Sequence, residues 1–73
     1  MPEIEIYSEV AGRVCALVVQ TGARVGEGDD IVVVEAMKME IPAASPAAGI
    51  VKSIMVKIDD MVSEGQAVAV LET

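Results

Sequence analysis

The sequence of 73 residues has no histidine, tryptophan or phenylalanine, and it has a single cysteine and a single tyrosine. Without histidine and with only Cys15, the usual zinc ligand sets and the Ser-His or Cys-His nucleophile pairs cannot form. One cysteine also excludes an intrachain disulfide and is typical of a reducing compartment, so we expect a cytoplasmic location. These absences predict a chain that is not an enzyme by itself.

Positive charge is also scarce, because 12 acidic residues outnumber 5 basic ones and give a formal net charge of −7. Such a chain offers little surface for binding phosphates, and we expect neither nucleic acid nor an anionic membrane as a partner. No apolar run approaches the length that crosses a bilayer, so we expect no membrane anchor.

Apolar residues make up 53% of the chain, although only 1% of the residues are aromatic. The core must therefore consist of Val, Ile, Leu, Ala and Met, which suits short strands better than a large ligand pocket. Because a chain of this length supports one small core, we expect residues 1–73 to form a single domain.

An internal repeat organises the sequence. A shift of 37 residues aligns residues 3–36 with residues 40–73 without a gap, and twelve of the 34 pairs are identical. A unit of this size cannot bury its apolar face alone, so we expect two copies to pack on each other about a pseudo-twofold axis. Residue 38 then corresponds to the two chain ends, which predicts that it lies at the pole opposite both termini.

Each copy of the repeat predicts four strands, from its β-branched runs and the glycine-containing turns between them. The predicted strands are residues 4–7, 12–19, 23–25 and 31–35 in the first copy, and residues 40–43, 49–56, 61–62 and 68–72 in the second. Eight strands in two related halves predict an all-β sandwich or flattened barrel.

The segment that joins the two copies conflicts with its local propensity. Residues 35–40 are good helix formers with no turn residue among them, yet the repeat requires the chain to reverse there. The reversal must occur at Met37-Lys38, although two-residue hairpins normally use Asn-Gly or a similar pair. A disfavoured turn sequence at a required turn indicates a functional constraint.

Met37, Lys38 and Met39 have no counterpart in the aligned repeat, whereas Glu35 aligns with Glu72 and could equally belong to the scaffold. Two methionines beside a turn lysine place flexible apolar side chains where exposure is disfavoured. This is expected if another protein binds the turn.

The segment Glu35-Ala36-Met37-Lys38-Met39, with the Pro-Ala-Ala-Gly-Ile-Val segment at 46–51, resembles the biotinyl domain family. That family is marked by Ala-Met-Lys-Met, usually after Glu, and by a following Pro-x-x-Gly-x-Val. The resemblance covers the whole chain and implies a barrel-sandwich hybrid of two four-stranded sheets, of the type without a thumb insertion. It also implies that Lys38, on the turn between the fourth and fifth strands, carries biotin covalently.

The resemblance further implies three protein partners. A biotin protein ligase would attach biotin to Lys38, with Glu35, Ala36, Met37 and Met39 as recognition residues. The biotin would then shuttle carboxyl groups from a biotin carboxylase to a carboxyltransferase, in a complex of the acyl-CoA carboxylase type. Two alternatives stay open: a lipoyl carrier domain, which usually has Asp-Lys-Ala at the turn, and an unmodified barrel-sandwich adaptor module in which Lys38 is incidental.

Overall fold

The computed structural model describes residues 2–73, and every regular element in that part of the chain is a β-strand. The strands of the first half are β1 (Glu3–Tyr7), β2 (Gly12–Leu17), β3 (Arg24–Val25) and β4 (Asp30–Ala36). Those of the second half are β5 (Met39–Ala44), β6 (Gly49–Ile54), β7 (Met61–Val62) and β8 (Ala67–Glu72). The predicted all-β class is confirmed.

Two strands end earlier than predicted, because β2 ends at Leu17 and β6 at Ile54 rather than at Val19 and Val56. Leu17 pairs with Val32, near the start of β4. Beyond this pair one more backbone hydrogen bond joins the two segments, from the amide of Val18 to the carbonyl of Ile31. The Val-rich sequence favours extended backbone further on, but a strand ends where its ladder partner ends.

The strands form two antiparallel sheets of four, in the orders β1-β8-β6-β3 and β5-β4-β2-β7. A shift of 37 residues converts one order into the other, and the registers follow the same rule. Glu3 lies opposite Glu72 in the first sheet, and Glu40 lies opposite Glu35 in the second. The predicted barrel-sandwich fold with an internal pseudo-twofold repeat is therefore confirmed.

The core lies between the two sheets and is made of small and branched apolar side chains. Ser8 and Ser45, which are equivalent in the repeat, are also buried. Each hydroxyl donates to the carbonyl oxygen two residues later, over 2.6 and 2.7 Å, so neither group lacks a partner. The buried apolar residues are Ile6, Val14, Val25, Ile31, Val32, Val34, Ala43, Val51, Val56, Val62, Val68, Ala69 and Leu71.

Gly12 and Gly49 open β2 and β6 at equivalent places, and both lie against backbone. A Cβ atom at Gly12 would overlap the carbonyl oxygen of Glu35, and one at Gly49 would overlap that of Glu72. These positions accept only glycine, because the strands approach too closely for any side chain.

The molecule is elongated, with extents of 36 × 17 × 16 Å. The amide of Thr73 donates to the carbonyl of Pro2 over 3.0 Å, so the two ends of the described chain lie side by side. Their equivalents in the repeat are Ala36 and Met39, which pair at the base of the β4–β5 turn. The turn and the chain ends therefore lie on opposite sides of the pseudo-twofold axis.

Candidate functional site

The β4–β5 connection is a hairpin with two residues in the turn. Ala36 pairs with Met39, and the residues between them, Met37 and Lys38, have φ angles of 54° and 65°. Positive φ at both central residues is the pattern of a type I′ turn, the form that matches the twist of adjacent strands. The tight reversal predicted at Met37-Lys38 is present, and it is formed by two residue types that rarely adopt this backbone.

The sequence adopts this turn because the pairing of β4 with β5 requires it. The apolar residues of β4 and β5 must face the core in register, and the register brings Ala36 opposite Met39. Each non-glycine residue in the left-handed region costs roughly 1 kcal/mol, which the ladder and the core of both strands offset. The lysine is thus held on a rigid, strained turn.

Lys38 is exposed, and its neighbours Met37 and Met39 are exposed as well. Within residues 2–73, Lys38 takes part in no side-chain hydrogen bond or ion pair, whereas Lys52 binds Glu3. An accessible, unengaged amine fits a group that is attached through an amide bond, because such a group needs no cavity in the chain that carries it.

The base of the hairpin is tied to the neighbouring strands by Arg13 of β2. Its guanidinium donates to Glu35 of β4 over 3.2 Å and to Asp59 in the β6–β7 connection. The hydrogen bonds that Arg13 donates, that to Glu35 most and that to Asp59 next, raise the pKa of Arg13, so the arginine stays charged. Glu35, predicted as a recognition residue, is thus an ion-pair partner within the chain, and Ala36 is half-buried beneath the turn.

Arg13 and Asp59 were not among the site residues predicted from sequence. Arg13 lies 22 residues from Glu35 and 46 residues from Asp59 in the sequence, so no local pattern links them. The repeat gives no signal either, because Arg13 and Asp59 align with uncharged residues, but so do Arg24, Lys52 and Lys57.

A surface cavity lies away from the turn. It has a volume of about 390 Å³ and is lined by residues 4–7 of β1, by Glu9, and by Ala44 and Pro46 at and just beyond the end of β5. Within residues 2–73 there is no cluster of three potential metal ligands, and no helix is long and apolar enough to span a membrane. The candidate site is a displayed side chain.

A two-sheet barrel that displays a lysine on a strained turn defines a carrier domain, the class of protein that presents a covalently attached group to other enzymes. A family model described as "Biotin-requiring enzyme" matches residues 1–71. The chain belongs to this biotin and lipoyl attachment family, as its sequence predicted, and it is a biotin carrier domain.

The relatives differ greatly in length. The biotinylated protein TB7.3 homolog of Mycobacterium leprae is 37% identical over 67 residues, which are 92% of this chain and 94% of that protein. The dihydrolipoyllysine-residue acetyltransferase component of the Azotobacter vinelandii pyruvate dehydrogenase complex is 41% identical over 61 residues, but these are 84% of this chain and 10% of that protein.

Among solved structures, the urea carboxylase of Kluyveromyces lactis superposes on 99% of this chain with a TM-score of 0.94 and 36% identity. The match covers 6% of the carboxylase. The same fold therefore occurs both as a short protein and as a small part of a large one.

The strain in the turn gives a prediction about stability. We expect Met37→Asn to raise the free energy of unfolding by about 1 kcal/mol, because asparagine adopts the left-handed conformation more readily than methionine. The loss of the methionine side chain has little effect, since that side chain is 95% exposed. Urea denaturation of the two proteins measures the difference.

Met39→Asn is the matched control, because Met39 is also an exposed methionine but lies in extended backbone in β5. It should not stabilise the protein. Equal effects of the two substitutions would contradict the assignment of strain to Met37.

Proposed function

We propose that Lys38 is the residue that carries biotin, and that the chain moves carboxyl groups between a biotin carboxylase and a carboxyltransferase. The observation that carries the proposal is the exposed amine at a two-residue turn, which binds no other side chain of residues 2–73 and is flanked by two exposed methionines. Methionines on a surface indicate a site that another protein covers.

Attachment requires a partner, because the amine of an ordinary lysine is almost wholly protonated at neutral pH. A biotin protein ligase would remove the proton, and the amine would attack the activated carboxyl carbon of biotin as the adenylate leaves. The product is an amide, so the chain loses one positive charge. Met37 and Met39 would contact the ligase, while Glu35 and Ala36 would hold the turn in place at the end of β4.

When attached, biotin supplies the ureido nitrogen that accepts and releases the carboxyl group. The chain contributes the position of the arm. The turn projects from the end of two paired strands, of which β4 is anchored in the core by Val32 and Val34 and β5 by Ala43, so the arm swings from a rigid base. Tethering keeps the attached group at a high local concentration near both partner sites.

The remaining parts of the proposal follow from this role. Residues 1–73 would act as one carrier domain without catalytic activity of its own. Its acidic surface, with a formal net charge of −7, favours basic protein surfaces over nucleic acid or membranes as partners. We propose that it works in the cytoplasm.

The proposal is tested by the intact mass of the chain after co-expression with a biotin protein ligase and, in parallel, with a lipoyl ligase. We expect the mass increment of one biotin with the first enzyme and no increment with the second. The lipoyl alternative, which the Azotobacter relative keeps relevant, would give the opposite result. An unchanged mass in both experiments would favour an unmodified adaptor.

A further inference from the structure

Three methionines are the most exposed large apolar side chains in the described part of the chain. The exposed fractions are 95% for Met37, 72% for Met61 and 64% for Met39, and the next value is 52%, for Val18. Met37 and Met39 flank Lys38, but Met61 lies in β7, far from them in sequence. Such exposure is unfavourable unless another surface covers it.

Met61 lies on the same sheet as the turn and at the same end of it. A row of paired residues crosses the sheet one step below the base of the turn, in the order Glu40, Glu35, Arg13 and Met61. Residues of one row point to the same face, and here that is the outer face, because the next residue of β7, Val62, is buried. Two strand spacings separate Met61 from Glu35, about 10 Å.

The repeat supplies an internal comparison for this face. The residue equivalent to Met61 in the other half is Arg24, which occupies the same position in β3. Arg24 is exposed as well and pairs with β6 just as Met61 pairs with β2. The fold therefore accepts a charged residue at this position, and the scaffold does not require an exposed methionine there.

We propose that the outer face formed by Glu35, Glu40, Asp59 and Met61, here called the β7 face, is a docking surface for the biotin protein ligase. The ligase would receive Met61 in an apolar recess and place Lys or Arg side chains opposite the acidic residues. The inference rests on the proposed function, because it assumes that a ligase acts on Lys38.

The reach of the lysine favours the ligase over the other partners. An extended lysine side chain places its amine about 6 Å from its Cα atom, so an enzyme that acts on the amine must come down onto the surface around the turn. Enzymes that act on attached biotin work at roughly twice that distance and need less contact with the domain. A contact 10 Å to the side of the hairpin is within reach of the first kind of enzyme.

Charge supports the same partner chemistry. Arg13 is the cation of the row, and both of its carboxylate partners, Glu35 and Asp59, share it. Among the ion pairs of residues 2–73, none involves Glu40, whereas its equivalent Glu3 binds Lys52. The β7 face thus carries net negative charge beside an apolar side chain, which suits a basic surface with an apolar recess.

The test is the rate of biotin transfer by a purified biotin protein ligase with ATP and biotin, measured at varied concentrations of the chain. We expect Met61→Arg to lower kcat/KM at least tenfold, mainly through a higher KM. The variant Met61→Leu, which keeps an apolar side chain, should have a kcat/KM within twofold of that of the unmodified sequence. The matched control is Arg24→Met, the reciprocal change at the equivalent position, which should leave kcat/KM within twofold. Circular dichroism melting checks that each variant is folded.

The outcomes separate the inference from the proposed function. If the unmodified sequence accepts no biotin, the proposed function is wrong. If it accepts biotin and the Met61→Arg variant accepts biotin at the same rate, the docking inference alone is overturned. If Met61→Arg melts early, Met61→Gln replaces it and should lower kcat/KM several-fold. A loss of carboxyl transfer with normal biotin attachment would assign the β7 face to a carboxylase, against the inference.

Discussion

Replacement of Lys38 with arginine is expected to abolish biotin incorporation and leave the fold unchanged. Arginine keeps the positive charge and the length of the side chain, but its guanidinium does not deprotonate in proteins and cannot form the amide. The side chain at this position is exposed and holds no ion pair in the described part of the chain, so stability should change by less than about 0.5 kcal/mol. Intact mass and chemical denaturation measure the two effects.

Lys57→Arg is the matched control for this substitution. Lys57 is also exposed, and it lies in the connection before β7, outside the turn. Biotin incorporation should be unaffected by it. A biotin increment that persists in Lys38→Arg, or one that disappears in Lys57→Arg, would show that Lys38 is not the attachment residue.

Gly12→Ala is expected to lower the free energy of unfolding by about 2 to 3 kcal/mol. The added methyl group would overlap the carbonyl oxygen of Glu35 and come within 3.0 Å of a methyl group of Val34. Both residues belong to β4, which packs on the core through one face and pairs with β5 along the edge away from β2. The strand therefore cannot move away from β2 without loss of packing. Urea denaturation provides the measurement.

Gly26→Ala is the control, because the nearest atom to an added Cβ there is an Asp29 oxygen at 3.8 Å and the residue is not in the left-handed region. It should leave stability unchanged or raise it by up to about 1 kcal/mol. Gly49→Ala should destabilise the protein as Gly12→Ala does, since it creates the equivalent overlap with Glu72. If Gly12→Ala and Gly26→Ala had equal effects, the close approach of β2 and β4 would not be a source of stability.

The two glycine substitutions at equivalent positions also separate folding from function. Both should destabilise the barrel, but only Gly12 lies against the strand that leads into the turn. Biotin transfer to the folded fraction should therefore fall further in Gly12→Ala than in Gly49→Ala.

The fold was predictable because the sequence contains it twice. One half, read alone, offers short Val-rich runs that fit several all-β arrangements. The 37-residue repeat constrains where each strand begins, and it predicts a reversal near Lys38 that residues 35–40 do not indicate through their own propensity. The register between strands overrides the preference of single residues, as the positive φ angles of Met37 and Lys38 show.

The site was predictable only in part. Lys38 and its methionines are contiguous in sequence and match a family motif, so they could be found without a structure. The position of Arg13 between Glu35 and Asp59 depends on strands that meet only in three dimensions. The sequence left Glu35 open between a scaffold residue and a recognition residue, and only the structure shows that Arg13 holds its carboxylate.

The hydrogen bond between Thr73 and Pro2 has a consequence for the architecture of larger proteins. Neighbouring strands are about 5 Å apart, so a polypeptide that enters and leaves the barrel there needs a gap of only that width in its host. The domain can be grafted into a surface loop as a cassette with little strain on the host, and its lysine then points outward from the insertion site.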